Sequence, residues 1–213
     1  MSTATTPLAR PRTSRNLGKH LLWYVLGLAG ISVLIITDYP LLHPSADPYR
    51  AKLIVDRFLL IPHAVAGILA TALGPFQFST RFRQRHLPLH RIMGKTYVIC
   101  ICIAAPMALV LGLRGFTFPM EFVGVVQPIL WLSCTLAAFL TARNRHIAVH
   151  RQWMIRSYAF TLNFIFSRLL DFIPAYANMS ETNLALTLSL LSISYFFIPD
   201  VVFNWREITH RRA

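Results

Sequence analysis

Six stretches of this chain are apolar over nearly the ~20 residues that an α-helix needs to cross the hydrocarbon core of a bilayer. They run roughly Leu21–Ile36, Phe58–Phe78, Met93–Leu113, Phe122–Leu140, Ser157–Tyr176 and Leu184–Asn204. The expected fold class is therefore all-α, a polytopic membrane protein of about six transmembrane helices. Composition agrees: 55% of the 213 residues are hydrophobic, mean hydropathy is +0.51 and only 14% are charged. A globular chain carries about 25% charged residues.

Twenty-one Lys+Arg against eight Asp+Glu give a formal charge of +13. Such an excess fits either a nucleic-acid partner or the flanks of membrane spans, and its placement decides between them. Arg10, Arg12, Arg15 and Lys19 precede the first span. Arg81, Arg83, Arg85 and Arg91 separate the second from the third, and Arg143, Arg145, Arg151 and Arg156 the fourth from the fifth. Arg206, Arg211 and Arg212 follow the sixth. Cations thus occupy every second connection, as the positive-inside rule requires of six spans with both termini in the cytoplasm. Nucleic-acid binding loses its motivation, and the lipid bilayer becomes the expected partner.

Residues 1–16, rich in Ser, Thr, Pro and Arg, read as a disordered basic tail. The membrane domain covers 17–207, and 208–213 form a basic C-terminal tail. No clean small-x-small cleavage site follows Ile36, so the first span is expected to be retained. Cys100, Cys102 and Cys134 all lie in apolar runs. A helix turns about 200° over two residues, which points the first two thiols apart, and all three read as packing residues.

Two of the basic connections share a pattern. Arg83-Gln-Arg85-His86-Leu-Pro-Leu-His90-Arg91 and Arg143-Asn-Arg145-His146-Ile-Ala-Val-His150-Arg151 are both R-x-R-H-x-x-x-H-R, sixty residues apart. The likeness runs on, with a one-residue slip, to Tyr97 and Tyr158. A repeat at this spacing predicts two helical hairpins, about 58–113 and 120–176, related by a pseudo-two-fold axis along the membrane normal. They would form a central four-helix bundle with both motifs near the axis on the cytoplasmic side. Pro88 suits a first helical turn, placing His90 inside that turn and His86 just before it.

Paired histidines near helix starts point to a redox module. His90 and His150 would supply axial ligands to a b-type haem, or bind a quinone, in a cofactor-binding set with Arg91, Arg151, Lys95 and Arg156. The partners would then be a membrane quinol and another electron carrier. A non-haem metal centre would instead gather His86, His90, His146 and His150. The contrasting expectation is a non-catalytic or transport-type bundle, in which the motif anchors to lipid or binds an anion or metal. Four intramembrane ionisable residues are further candidates: His63 with Arg168 and Asp171 at the outer level, and Asp200 at the level of His90 and His150. Tyr97, Trp153 and Tyr158 read as interfacial belt aromatics. No phosphate-binding glycine loop, nucleophile elbow or dinucleotide fingerprint occurs, so the sequence does not mark the chain as an enzyme.

The Pro-His63-Ala-Val-Ala-Gly context, Gly74-Pro75-Phe76-Gln77-Phe78, His90-Arg91-x-x-Gly94-Lys95-x-Tyr97 and His150-Arg151-x-Trp153-Met154-Ile155-Arg156-Ser157-Tyr158 resemble an uncharacterised family of predicted bacterial membrane proteins, a domain of unknown function, over roughly residues 55–205. The resemblance implies a bacterial inner-membrane location and no established activity. In architecture alone the chain is also similar to haem-binding four-helix membrane cytochromes.

Overall fold

The computed structural model describes residues 55–170 and 172–209. The N-terminal tail, the span expected at Leu21–Ile36 and Asp171 lie outside the described residues, and the side chain of Arg168 is likewise not described, so the expected Arg168–Asp171 pair falls outside them. Among those described, every regular element is a helix: α1 Arg57–Phe78, α2 Thr80–Arg85, α3 Leu87–Gly115, α4 Met120–Arg143, α5 Ile147–Leu170, α6 Pro174–Ala177 and α7 Glu181–Thr209. The five long ones have 22 to 29 residues. At 1.5 Å per residue they reach ~33 to ~44 Å, beyond the ~30 Å hydrocarbon core.

Helices α1, α3, α4 and α7 are long and apolar enough to cross a membrane. Helix α5 matches them in length, but Arg151, Gln152, Arg156, Ser157, Thr161 and Asn163 interrupt its apolar run. That polarity largely turns inward, since Arg156, Ser157 and Thr161 are buried. The helix also starts ten residues before the span expected at Ser157–Tyr176 and stops at Leu170. Hydropathy registers only the apolar part, whereas the helix itself starts directly after the turn that closes α4.

Helix α1 packs on α3, α3 on α4 and α4 on α5, and α5 closes the ring against α1 through the smallest of the four contacts. Helix α7 lies outside the ring, against α4 and α5. This is the expected four-helix bundle of two hairpins, α1–α3 and α4–α5, with the basic motifs at one end.

Its interior is built from small residues. Ala66, Ala70, Ala104, Ala105, Ala138, Cys100 and Cys134 surround Tyr97, Ile101 and Trp131. Phe58, Ile99, Phe122, Leu190 and Phe197 point outward, each more than half exposed. Large apolar side chains outside and small ones between helices is the pattern of packing in lipid. At the end away from the motifs, a Cβ on Gly112 would lie 2.5 Å from the Gly124 carbonyl oxygen, so two glycines set the α3–α4 approach. Cys100 is buried and Cys102 exposed, as their spacing requires. Polar side chains tie α7 to the ring. Gln127 Nε2 donates to Ser192 Oγ at 2.8 Å, Asn163 Nδ2 to Gln127 Oε1 at 3.2 Å, and Tyr195 OH to Asn163 Oδ1 at 2.7 Å.

Candidate functional site

The two motif copies begin their helices alike and reach them by different turns. In the first, Ser79 caps the short α2, its Oγ accepting from the Phe82 N–H at 3.2 Å. His86 is then the N-cap of α3, with Pro88 in the first turn, where its missing N–H leaves no helical bond unmade. In the second, α4 ends at Arg143 and Arg145 adopts φ 63°. The Arg145 N–H donates to Ala142 O at 3.1 Å and the His146 N–H to Thr141 O at 2.9 Å. These two bonds define a Schellman motif, with arginine at the left-handed position glycine usually takes. Both copies finish identically: the His90 N–H bonds to His86 O, and the His150 N–H to His146 O, each at 2.9 Å.

Between the copies lies a chamber of about 520 Å³. Arg83, His90 and Arg91 line it from the first copy, and Arg145, His150 and Arg151 from the second. Gln77, Phe78, Thr80, Leu87, Ala142, Ile147, Met154 and Ile155 complete the wall. None of these described lining residues is acidic. Four arginines therefore line one volume with no acidic residue among the described lining.

The two chamber histidines are held differently. His150 Nδ1 donates to the Ala138 carbonyl at 2.8 Å, because a carbonyl can only accept. The Nδ1 of His90 is buried with no hydrogen-bond partner among the described residues. His90 precedes the apolar run Met93–Leu113, and burial, then the charges of Arg83, His150 and Arg91, hold its pKa below the usual 6.5. Its neutral form therefore dominates at pH 7.

Beneath the chamber, the Gly74-Pro75-Phe76-Gln77-Phe78 segment acts as a unit. Pro75 has no N–H, so it cannot serve the Thr71 carbonyl four residues earlier. Tyr158 OH donates to that carbonyl at 2.9 Å. Its ring lies over Gly74, where a Cβ would come within 1.9 Å of Tyr158 Cε2. Phe78 packs on the same ring, with centroids 5.3 Å apart, and Gln77 Nε2 donates to the His90 carbonyl at 3.3 Å.

Tyr97 is 0% exposed and hydrogen-bonds Ser157 Oγ at 2.8 Å and Thr161 Oγ1 at 2.7 Å. Trp131 Nε1 donates to Thr161 Oγ1 at 3.1 Å, and Thr135 Oγ1 joins Ser157 Oγ at 2.7 Å. Tyr97 and Tyr158 are thus core residues, which corrects the expectation of an interfacial belt. Their hydroxyls have partners on other helices, and burial follows from those partners.

Of the expected site residues, the structure brings His90, His150, Arg91 and Arg151 together in the chamber. His86 and His146 stay exposed at the helix starts. Among the described residues no three His, Cys, Asp or Glu side chains stand close enough to share an ion, so the four histidines do not form one ligand set. Lys95 is exposed on α3 and is not among the lining residues. Arg156 is paired instead with Asp200 of α7 and sits 5.0 Å over the Trp153 ring. Asp200 therefore meets Arg156 rather than the two chamber histidines. His63 Nδ1 hydrogen-bonds the Ala104 carbonyl at 2.9 Å. Arg83 and Arg145 were not expected as site residues. Both belong to the repeated motif, but in the sequence their placement at span ends accounts for them.

No curated protein and no solved structure matches the chain. A family model does, the one described as a predicted membrane protein (DUF2306), over residues 60–205. That stretch begins within α1, ends within α7 and contains both motif copies and the chamber between them: the chain belongs to the DUF2306 family of membrane proteins.

Proposed function

We propose that the protein is a membrane-embedded binding bundle of transport type whose basic chamber takes an anionic group. The observation that carries this reading is the convergence of Arg83, Arg91, Arg145 and Arg151 on one volume of about 520 Å³ with no acidic lining residue among those described. Guanidiniums bind phosphate or carboxylate through parallel N–H bonds, and anionic ligands collect in basic pockets between membrane helices. Charge placement favours a cytoplasmic location for this end. The test uses protein purified in uncharged detergent, titrated with phosphate at constant ionic strength and followed by thermal unfolding. Saturable stabilisation is expected, on the order of 2.7 kcal/mol at a hundred times Kd. It should vanish in the double variant Arg91→Gln/Arg151→Gln; an equal response in that variant would refute the site.

A redox reading has one observation in its favour: His90 and His150 line the same chamber, and His90 Nδ1 is buried with no hydrogen-bond partner among the described residues. Two imidazoles lining one chamber suit a b-type haem or a quinone. An optical spectrum of the purified protein decides the haem version, which requires a Soret band that His90→Ala and His150→Ala each remove. Quinone extraction from the same sample decides the other.

A further inference from the structure

The chamber is two half-sites. The first copy of the motif contributes Arg83, His90 and Arg91, and the second Arg145, His150 and Arg151. Each half thus has two arginines and one histidine: Arg91 and Arg151, like His90 and His150, hold matching motif positions, whereas Arg83 comes from α2 and Arg145 from the turn before α5. We infer that the ligand is a lipid carrying two phosphate groups, one taken by each half. The inference rests on the anion-binding reading above and specifies its substrate class.

Three features support it. The first is charge: four arginines line the chamber with no acidic residue among the described lining, and two phosphates match more of them than a singly charged headgroup does. The second is size. At about 520 Å³, the chamber far exceeds what one small oxyanion fills, given ~30 Å³ for a water in the liquid. The third is the wall, where Phe78, Met154 and Ile155 supply apolar surface beside the cations. Leu87 and Ile147, also lining residues, are 43% and 54% exposed on the first turns of α3 and α5. They give acyl chains a path from the chamber to the apolar outer surface of the bundle.

The two phosphates of one molecule bind as a linked pair, so the second contact is made at high effective concentration. The test takes the full chain, delipidated in uncharged detergent, and titrates it with cardiolipin, phosphatidylglycerol and inorganic pyrophosphate at matched phosphate concentration. Native mass spectrometry counts bound lipid, and thermal unfolding reports occupancy. Cardiolipin is expected to bind one per chain, on the order of a hundredfold tighter than phosphatidylglycerol. Arg91→Gln and Arg151→Gln, one from each half, should each bring cardiolipin close to the phosphatidylglycerol level. Each should weaken phosphatidylglycerol by only about twofold, because the other half still binds it. Arg91→Lys and Arg151→Lys, which keep the charge and lose the bidentate fork, should fall between these limits. Equal affinity for the two lipids overturns the two-phosphate inference and leaves the anion site standing. Pyrophosphate binding as tightly as cardiolipin overturns the lipid part alone. Failure of all three to bind overturns the anion-binding reading itself.

Discussion

The two hairpins carry one motif and support it by different means. In the first, a capped helix α2 leads to His86; in the second, a three-residue turn with a left-handed Arg145 does the same work. The turns change which arginine reaches the chamber. Arg83, first of its motif, lines it from α2, whereas Arg145, third of its motif, lines it from the turn. The tyrosines diverge as well. Tyr97 binds side-chain hydroxyls of α5, while Tyr158 serves a backbone carbonyl that Pro75 leaves open. One histidine is fixed to Ala138 and its counterpart is not. What the copies share is therefore the ring of charge and imidazole; the scaffolding under it has drifted apart.

The sharpest break in this pseudo-symmetry lies under the tyrosines. Gly74→Ala would place a methyl 1.9 Å from a ring that Phe78 and the Thr71 carbonyl hold in place. Overpacking of this kind costs about 3 kcal/mol or more, and the variant should fail to yield a cooperative unfolding transition in detergent. Sixty residues on stands Cys134, buried in the same core as Tyr97. Cys134→Ala only removes a sulfur and should cost about 1 kcal/mol. Equal effects at the two positions would mean that Tyr158 can leave Gly74 without penalty.

Tyr158→Phe tests the backbone role directly. It strands the Thr71 carbonyl, at a cost of about 1 to 3 kcal/mol. Pro75→Ala restores the N–H that a helix would offer that carbonyl. The double variant should recover most of the loss in denaturant or thermal unfolding, giving a coupling energy of about 1 kcal/mol or more. Strict additivity would disconnect Pro75 from Tyr158.

Much of this architecture was legible in the chain. Hydropathy finds α1, α3, α4 and α7 because each holds a strongly apolar stretch of membrane-spanning length with few charged residues. It misplaces α5, whose polar face is turned inward onto Tyr97 and Asp200. Spacing alone identified His90 and His150 as a pair, since Pro88 fixes where the first helix begins. The partners of Tyr97, Tyr158 and Arg156 were not legible: each lies on another helix, at a depth that only packing determines. Arg83 and Arg145 were hidden for another reason. Span-end arginines are explained by topology, and nothing in sequence spacing separates those facing a chamber from those facing water.

A smaller effect distinguishes the histidines. His150→Ala loses the bond to Ala138 and should cost about 1 kcal/mol. His90→Ala removes a buried atom that has no hydrogen-bond partner among the described residues, offsetting the packing lost, and should stay within about 0.5 kcal/mol at pH 7. The pH response adds a signature. The folded pKa of His90 lies below 6.5, so the unfolded chain binds its proton first and stability falls as pH drops through that value. His90→Ala should remove this part of the slope in thermal unfolding between neutral and mildly acidic pH. An unchanged slope would place the titration elsewhere.

The least expected effect on stability, and the only stabilising one, is at Arg145. A side chain at φ 63° is strained, and Gly adopts that backbone freely. Arg145→Gly should raise stability by about 0.5 to 1 kcal/mol. Its motif counterpart Arg85 ends a right-handed helix, where Gly should lower stability by up to about 1 kcal/mol. Opposite signs from one substitution at matched positions would show that the second copy accepts backbone strain to point a guanidinium at the chamber. Phosphate titration then completes the test, because Arg145→Gly should unfold at higher temperature and yet bind the anion more weakly. A variant that gained stability and kept full affinity would leave the left-handed arginine without a function.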